Sequence, residues 1–352
     1  VEANLLTKWL IKRGISEALI KKTLRKIDAA AALGEGKKLF DANKEIYRLL
    51  RYGVKDKEGA GESVQTVWLI DWENPEANDF AIAEEVTVKG ELKKRPDIVI
   101  YVNGIALGVI ELKRSSVSVS EGIRQNLDNQ KKSFIRNFFT TMQLVMAGND
   151  TQGIRYGTIE TTEKYYLEWK EPNSPNALPN SDIETDTVLD KHIAQLCDKT
   201  RFLQMIHDFI VFDAGVKKTC RHNQFFGVQA TKKHIASKQG GIIWHTQGSG
   251  KSLTMVWLAK WIRENITDSR VLIVTDRTEL DEQIEKVFSG VDEDIYRTKS
   301  GRDLLATLNE ENPWLLCSLV HKFGRNGEEV TDEDDDKAAS DYIDVLTNSI
   351  PS

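Results

Sequence analysis

The sequence predicts an α/β protein of two domains: a mixed sheet flanked by helices over residues 1–185, then a parallel α/β domain, incomplete, over 186–352. Three observations predict this. Two apolar runs flank Asn103-Gly104, a strong short-range hairpin signal. A strand–loop–helix–strand pattern runs from Gly241 to Val274, the alternation that builds a parallel sheet. Between them Glu171 to Asp182 holds three of the seven prolines and reads as a linker, with the domain boundary near residues 170–215.

Taken in order, residues 1 to about 50 read as helical, with Leu5, Leu6, Trp9, Leu10, Leu19, Ile20, Leu24 and Ile27 at helical spacing. Strands are expected at Val64–Asp71, Asp97–Val102 and Ile105–Leu112, then an amphipathic helix over Ser120–Phe134. Further strands are expected at Met142–Ala147 and Lys164–Trp169, and helices around Thr187–Val211. In the second domain, Ile242-Ile243-Trp244, Val271–Val274 and Trp314–Ser318 read as strands.

Forty per cent hydrophobic and 29% charged residues are ordinary for a soluble globular chain. No apolar run approaches the ~18 residues that span a bilayer, and Val1-Glu2-Ala3-Asn4 is not a signal peptide, so a cytoplasmic protein without membrane contact is expected. Cys197, Cys220 and Cys317 lack metal-ligand spacing and read as free thiols in a reducing compartment. The net charge of −6 decides nothing about nucleic acid, because local patches govern phosphate contact. Two such patches are Lys21–Lys26 and Lys89–Arg95, while Glu328–Asp336 reads as a solvated acidic loop.

The hairpin carries the first chemical constellation. A two-residue loop pairs Val102 with Ile105 and puts Asp97 and Glu111 on opposite faces. A three-residue loop, with Gly104 left-handed in a bulge, pairs Val102 with Ala106 and sets Asp97 opposite Glu111, about 5 Å apart at Cβ. Lys113 then points to the same side. Neighbouring carboxylates repel unless a cation or proton lies between them, and Mg²⁺ takes one or two carboxylates plus waters and phosphate oxygens. The competing reading is an Asp–Lys–Glu ion-pair cluster at a strand end.

Pro96-Asp97 and Glu111-Leu112-Lys113 resemble the PD-(D/E)xK nuclease motif. Asn103–Leu107, Asp71-Trp72-Glu73-Asn74-Pro75, Asn78-Asp79-Phe80, Gly148-Asn149-Asp150 and Arg155-Tyr156-Gly157 further resemble the N-terminal domain of type I restriction enzyme restriction (R) subunits. The resemblance implies catalytic roles for Asp97, Glu111 and Lys113, with Mg²⁺ on Asp97 and Glu111. It also implies a Gln-x-x-x-Tyr element on the next helix: Gln125 fits as an active-site helper, its alternative being a surface amide, whereas Asn129 stands where Tyr is expected.

The second constellation is His245-Thr246-Gln247-Gly248-Ser249-Gly250-Lys251-Ser252, between an expected strand and a helix. This is the context of a P-loop, in which backbone N–H groups and a helix N-terminus cradle ATP phosphates. Thr246 to Ser252 are the candidate ATP contacts; Lys251 reaches the β- and γ-phosphates and Ser252 ligates Mg²⁺. The general pattern begins with Gly, but the R subunits resemble this chain in carrying His at 245. Arg221–Phe226 resembles the adenine-recognition element of superfamily 2 motors, with Gln224 reading the adenine edge. Thr275–Gln283 resembles a later motor motif, in which Arg277 is either a DNA phosphate contact or a salt-bridge partner of Glu279 or Asp281. Ser318–Phe323 resembles a third.

The resemblance covers essentially the whole chain but only about the first third of such a subunit. No apolar strand ending in Asp-Glu-x-His (Walker B) and no second lobe follow before Ser352, so an N-terminal fragment with a partial RecA-like domain is expected. The implied function is Mg²⁺-dependent cleavage of double-stranded DNA coupled to ATP-driven translocation, with methyltransferase and specificity subunits as partners, in a bacterium or archaeon. A RecB-like repair helicase–nuclease and a catalytically silent docking module on a remodelling ATPase are the alternatives.

Overall fold

The structure, a computed structural model, describes residues 1–34, 36–171, 186–290 and 293–320. The chain divides into two compact units, Val1–Phe226 and a second beginning at Gly227.

The first unit opens with helices α1 (Ala3–Lys12), α2 (Glu17–Ala31) and α3 (Leu39–Tyr52). Ser16 caps α2 by accepting from the Leu19 N–H, and Leu19, Ile20, Thr23, Ile27 and Ala30 form its buried stripe. On α3 the stripe Leu39, Ala42, Ile46, Tyr47 and Leu50 includes one polar member, Asn43, and the helix stops at Gly53. A short hairpin follows, β1 (Val54–Lys57) with β2 (Val64–Val67). The strand expected at Val64–Asp71 is therefore only half as long. The alternation ends at Trp68, which is solvent-exposed, and the chain turns into the Asp71–Asn78 loop, where the Asn78 side chain bonds the Asp71 backbone in both directions.

The main sheet has the order β3-β4-β5-β6-β7-β8, with strands β3 (Phe80–Glu84), β4 (Ile98–Val102), β5 (Ile105–Leu112), β6 (Leu144–Asn149), β7 (Gly153–Gly157) and β8 (Leu167–Glu168). Only β5 and β6 run parallel. A parallel step needs a crossover, and α4 (Val119–Asn129) supplies it, packing Val119 and Ile123 on Ala147. Strands β4 to β6 are buried on both faces, as their nearly continuous apolar runs require. Leu39, Val99, Tyr101, Val109, Phe139, Met142 and Val145 form the core on one side.

Residues 186–226 belong to this unit, beyond the boundary expected at 185/186. They form α5 (Val188–Leu196), α6 (Lys199–Asp208) and the hairpin β9 (Val211–Asp213) with β10 (Val216–Lys218). His192 accepts from the Ile154 N–H (3.1 Å), Tyr156 donates to the Cys220 carbonyl (2.9 Å) and Thr158 to that of Lys217 (2.7 Å). The Lys217 amine, 2% exposed, enters the core and donates to Asn43 Oδ1 (2.7 Å), Gln143 Oε1 (2.6 Å) and the Met142 carbonyl (3.2 Å). Proline content marks where the chain is stiff and irregular, not which core the next amphipathic helix covers. The linker itself lies almost wholly outside the described residues.

Helix α7 (His222–Ala236) contains the unit boundary. The second unit then has α8 (Lys251–Asn265), β11 (Val271–Thr275), α9 (Thr278–Gly290), β12 (Tyr296–Arg297), α10 (Gly301–Leu308) and β13 (Leu315–Leu319). The three strands pair in parallel in the order β11-β13-β12, as expected from the alternating pattern. One expectation is overturned: Ile242-Ile243-Trp244 is not a strand. Ile242 and Trp244 are each 89% exposed, because a three-residue apolar run forms a strand only against a neighbour, and no described strand pairs with it. The acidic run Glu328–Asp336 and the end of Ser318–Phe323 lie outside the described residues. Among those described, no helix is long and apolar enough to cross a membrane.

Candidate active site

The hairpin sets the geometry. Asn103 (φ 52°) and Gly104 (φ 78°) both adopt left-handed conformations, so the turn has two residues and pairs Val102 with Ile105. Asn103 is held there by its side chain, which accepts from the Asp79 N–H (2.8 Å) and donates to the Leu69 carbonyl (2.9 Å). On sequence alone this short turn would have turned Asp97 away from Glu111. A bulge further along corrects it: Tyr101 pairs with Ala106, but Ile100 pairs with Gly108, leaving Leu107 extra. The buried Leu107 carbonyl is satisfied by the Gln143 N–H (2.7 Å) at the approach to β6. With Ile98 opposite Ile110, the next step brings Asp97 across from Glu111. The expected juxtaposition is therefore present, through a bulge in the strand and not in the turn.

Asp97 accepts from the Leu112 N–H (2.7 Å), which pins its carboxylate to the end of β5. Glu111 is 1% exposed. Its Oε1 accepts from the Lys113 amine (2.9 Å) and from the Gln125 amide, in a very short contact. Lys113 also donates to Gln125 Oε1 (2.9 Å), closing a three-residue ring between β5 and α4. Glu111 Oε2 is buried and has no hydrogen-bond partner. Burial pushes the Glu111 pKa up to about 7, the Asp97 charge pushes the same way, and Lys113 opposes both. A buried carboxylate oxygen without a donor, beside a second carboxylate, fits a bound cation. Among the described residues no group of three or more His, Cys, Asp and Glu is arranged to hold a metal, so two carboxylates are what this site offers.

Gln125 is thus engaged with both charged residues, not a surface amide. Asn129, one turn later, is 2% exposed and its Oδ1 has no partner. Asn126, not singled out by sequence, donates to the Met146 carbonyl (2.8 Å) and fixes the roll of α4 over β6. Its only sequence signal was an amide on the apolar side of the helix, three residues after Ile123. Asn149 and Gln152 hold the β6–β7 turn: Asn149 Oδ1 accepts from the Gln152 N–H (2.7 Å) and its amide donates to the Val117 carbonyl (2.7 Å).

In the second unit Gly248 (φ 75°) and Gly250 (φ 86°) are left-handed, and α8 starts at Lys251. The loop Thr246–Ser252 thus presents backbone N–H groups at a helix N-terminus. The Lys251 amine lies over the His245 and Thr246 carbonyls (3.4 and 3.3 Å). Ser249 is 8% exposed with no partner for its hydroxyl. Gln224 falls in the first unit, where Oε1 accepts from the Arg221 N–H (2.8 Å) as a helix cap. Arg277 lies 3.6 Å from Asp276, an exposed pair of little energetic value.

Two family models match this chain: type I restriction enzyme R protein N terminus over residues 2–164, and SWI2/SNF2 ATPase over 223–348. The first spans Asp97, Glu111, Lys113 and Gln125; the second spans Lys251. The chain is also similar to curated type I restriction enzyme endonuclease subunits. It is 26% identical over 316 residues to a putative type I restriction enzyme endonuclease subunit (MjaIXP) of Methanocaldococcus jannaschii, covering 81% of this chain and 30% of that protein. It is 28% identical over 313 residues to the HindI endonuclease subunit of Haemophilus influenzae, covering 82% and 29%. A Staphylococcus saprophyticus type I endonuclease subunit is 27% identical over 254 residues, 70% of this chain and 26% of its own length. The chain therefore spans about 30% of the length of these curated relatives.

Proposed function

We propose that this chain is the nuclease and the opening motor segment of a type I restriction subunit, which cuts double-stranded DNA with Mg²⁺ while ATP drives translocation. Methyltransferase and specificity subunits would be its partners. The observation that carries the reading is the donorless, buried Oε2 of Glu111 next to Asp97. It supports a PD-(D/E)xK centre over a simple ion-pair cluster, in which the lysine would have satisfied the carboxylate.

Asp97 and Glu111 would hold the divalent ion, with water and phosphate oxygens completing the shell. When bound, such an ion polarises the phosphodiester and lowers the pKa of a coordinated water. Lys113 places its amine at the site, where it would orient the attacking water or stabilise charge building on the phosphate. Gln125 bonds Lys113 and Glu111 with the two ends of its amide and so fixes their separation. In the second unit Thr246, Gln247, Gly248, Ser249 and Gly250 would wrap ATP phosphates, with Lys251 on the β- and γ-phosphates and Ser252 on Mg²⁺.

Calorimetric titration of the chain with Mn²⁺ tests the metal site directly. Wild type is expected to bind one ion in the nuclease unit, and Glu111→Gln to weaken it by at least about a hundredfold. Equal affinity in the two proteins would remove Glu111 from the ligand set and the proposal with it. In the full-length subunit, Lys251→Ala is expected to reduce ATP turnover by about a hundredfold or more, since the transferred phosphoryl group loses its positive partner. ATPase assays at saturating nucleotide read this, and unchanged turnover would assign the loop another role.

A further inference from the structure

The basic stretch Lys89–Arg95 has no part in the metal or nucleotide chemistry above, and the structure gives it a shape. Val88 and Lys94 close a small hairpin through a pair of backbone hydrogen bonds (2.9 and 3.1 Å). It lies on the segment after α4: the Glu91 N–H donates to the Phe134 carbonyl (3.2 Å), and the Lys94 amine sits 4.4 Å above the Phe134 ring. The backbones press so closely that a Cβ on Gly90 would fall 2.0 Å from the Phe134 carbonyl oxygen. The hairpin is thus fastened in place by backbone contact.

Between this hairpin, the segment after α4 and the loop before α3 lies a cleft of about 530 Å³. Its described lining carries Lys37, Lys38, Lys89, Lys132 and Arg136 against one carboxylate, Glu91. Lys37 pairs with Glu45 (2.7 Å) and Arg136 with Glu160 (3.3 Å). Lys38, Lys89 and Lys132 are exposed and, among the described residues, have no acidic partner. Both walls grow from elements that carry nuclease residues. The hairpin runs through Arg95 and Pro96 into Asp97, and Lys132 follows Gln125 by seven residues.

We propose that this cleft is a docking groove for the sugar–phosphate backbone of duplex DNA, with Lys38, Lys89 and Lys132 each neutralising a phosphate beside the strand to be cut. The proposal rests on the nuclease reading of Asp97 and Glu111. Charge complementarity selects a polyanion. The described lining favours duplex over single strand: it carries lysines and an arginine, with Phe134 as its one aromatic side chain and Lys94 over that ring.

Fluorescence anisotropy with a labelled duplex in EDTA, where no cutting occurs, tests the groove in the 352-residue chain. The triple variant Lys38→Ala/Lys89→Ala/Lys132→Ala is expected to bind roughly a hundredfold more weakly near 0.1 M salt, with the slope of log Kd against log salt flatter by about three. Replacing the same three lysines by arginine should keep wild-type affinity. An exposed control of equal charge loss, Lys8→Ala/Lys21→Ala/Arg25→Ala, should lose far less. The groove is overturned if the two alanine triples lose affinity equally, if the groove triple binds as wild type, or if the wild-type chain does not bind duplex. In each case Mn²⁺ binding at Glu111 still judges the nuclease reading separately.

Discussion

Asp97→Ala in the full-length subunit, assembled with its partner subunits, is expected to lose DNA cleavage by at least about a hundredfold while ATP turnover stays near wild type. The argument starts from what the residue touches. Its carboxylate is pinned by the Leu112 N–H at the end of β5 and faces the Glu111 side of the hairpin. Removing it takes away one of the two carboxylates that can hold a divalent ion, together with the negative field that opposes ionisation of the other. The folded core is not touched, since Asp97 is half-buried just before β4, between the buried Pro96 and the half-buried Ile98. Plasmid nicking with Mg²⁺ and a parallel ATPase assay separate the two activities. Cutting at the wild-type rate by the variant would exclude Asp97 from the nuclease, and loss of both activities would point to failed assembly.

A pH series should show a second large effect. With its pKa near 7, metal-free Glu111 holds a proton over much of the range in which an ordinary glutamate, with a value of 4.5, is ionised. Metal binding needs the ionised form, so Mn²⁺ affinity should fall about tenfold per pH unit below about 7 and level off above it. Titrations in buffers of different ionisation enthalpy should count close to one proton released per ion at pH 6, and none well above 7. The stability sign runs the other way for the metal-free fold. A carboxyl whose folded pKa is raised favours the folded state below its unfolded value, and that contribution is lost as pH rises through the folded pKa. Scanning calorimetry in EDTA should therefore show wild type falling behind Glu111→Gln between about pH 4.5 and 7. Metal affinity that does not change with pH would mean that Glu111 is ionised without the ion.

The parts of this fold that were legible in the sequence are those set by local chemistry. Asn103-Gly104 specifies its turn because both residues tolerate positive φ, and the apolar runs on either side specify two buried strands. The carboxylates were found because charge at the end of an apolar strand has few structural uses. The Leu107 bulge was invisible in the sequence, since nothing distinguishes Leu107 from Leu112 until the Gln143 N–H, just before β6, claims its carbonyl. The same holds for β3 and β7. Phe80–Glu84 and Gly153–Gly157 are short and mixed in character, and they become strands only because β4 and β6 offer them edges. Ile242-Ile243-Trp244 failed in the opposite sense, with strand-like composition and no edge to join. The first compact unit runs past the expected boundary for a related reason: α5 and α6 announce an apolar face but not its destination.

The Lys217 amine bears on any effort to separate the two units. It works as a tenon, driven from the last hairpin of the first unit into a mortise cut by Asn43 and Gln143. A piece ended at the proline-rich stretch would keep the whole ring of Glu111, Lys113 and Gln125 and yet lose the peg. The Asn43 and Gln143 oxygens would face an empty socket, and Gly108 would lose the Phe202 ring that lies against it. The natural place to saw is past Phe226, where the first unit ends.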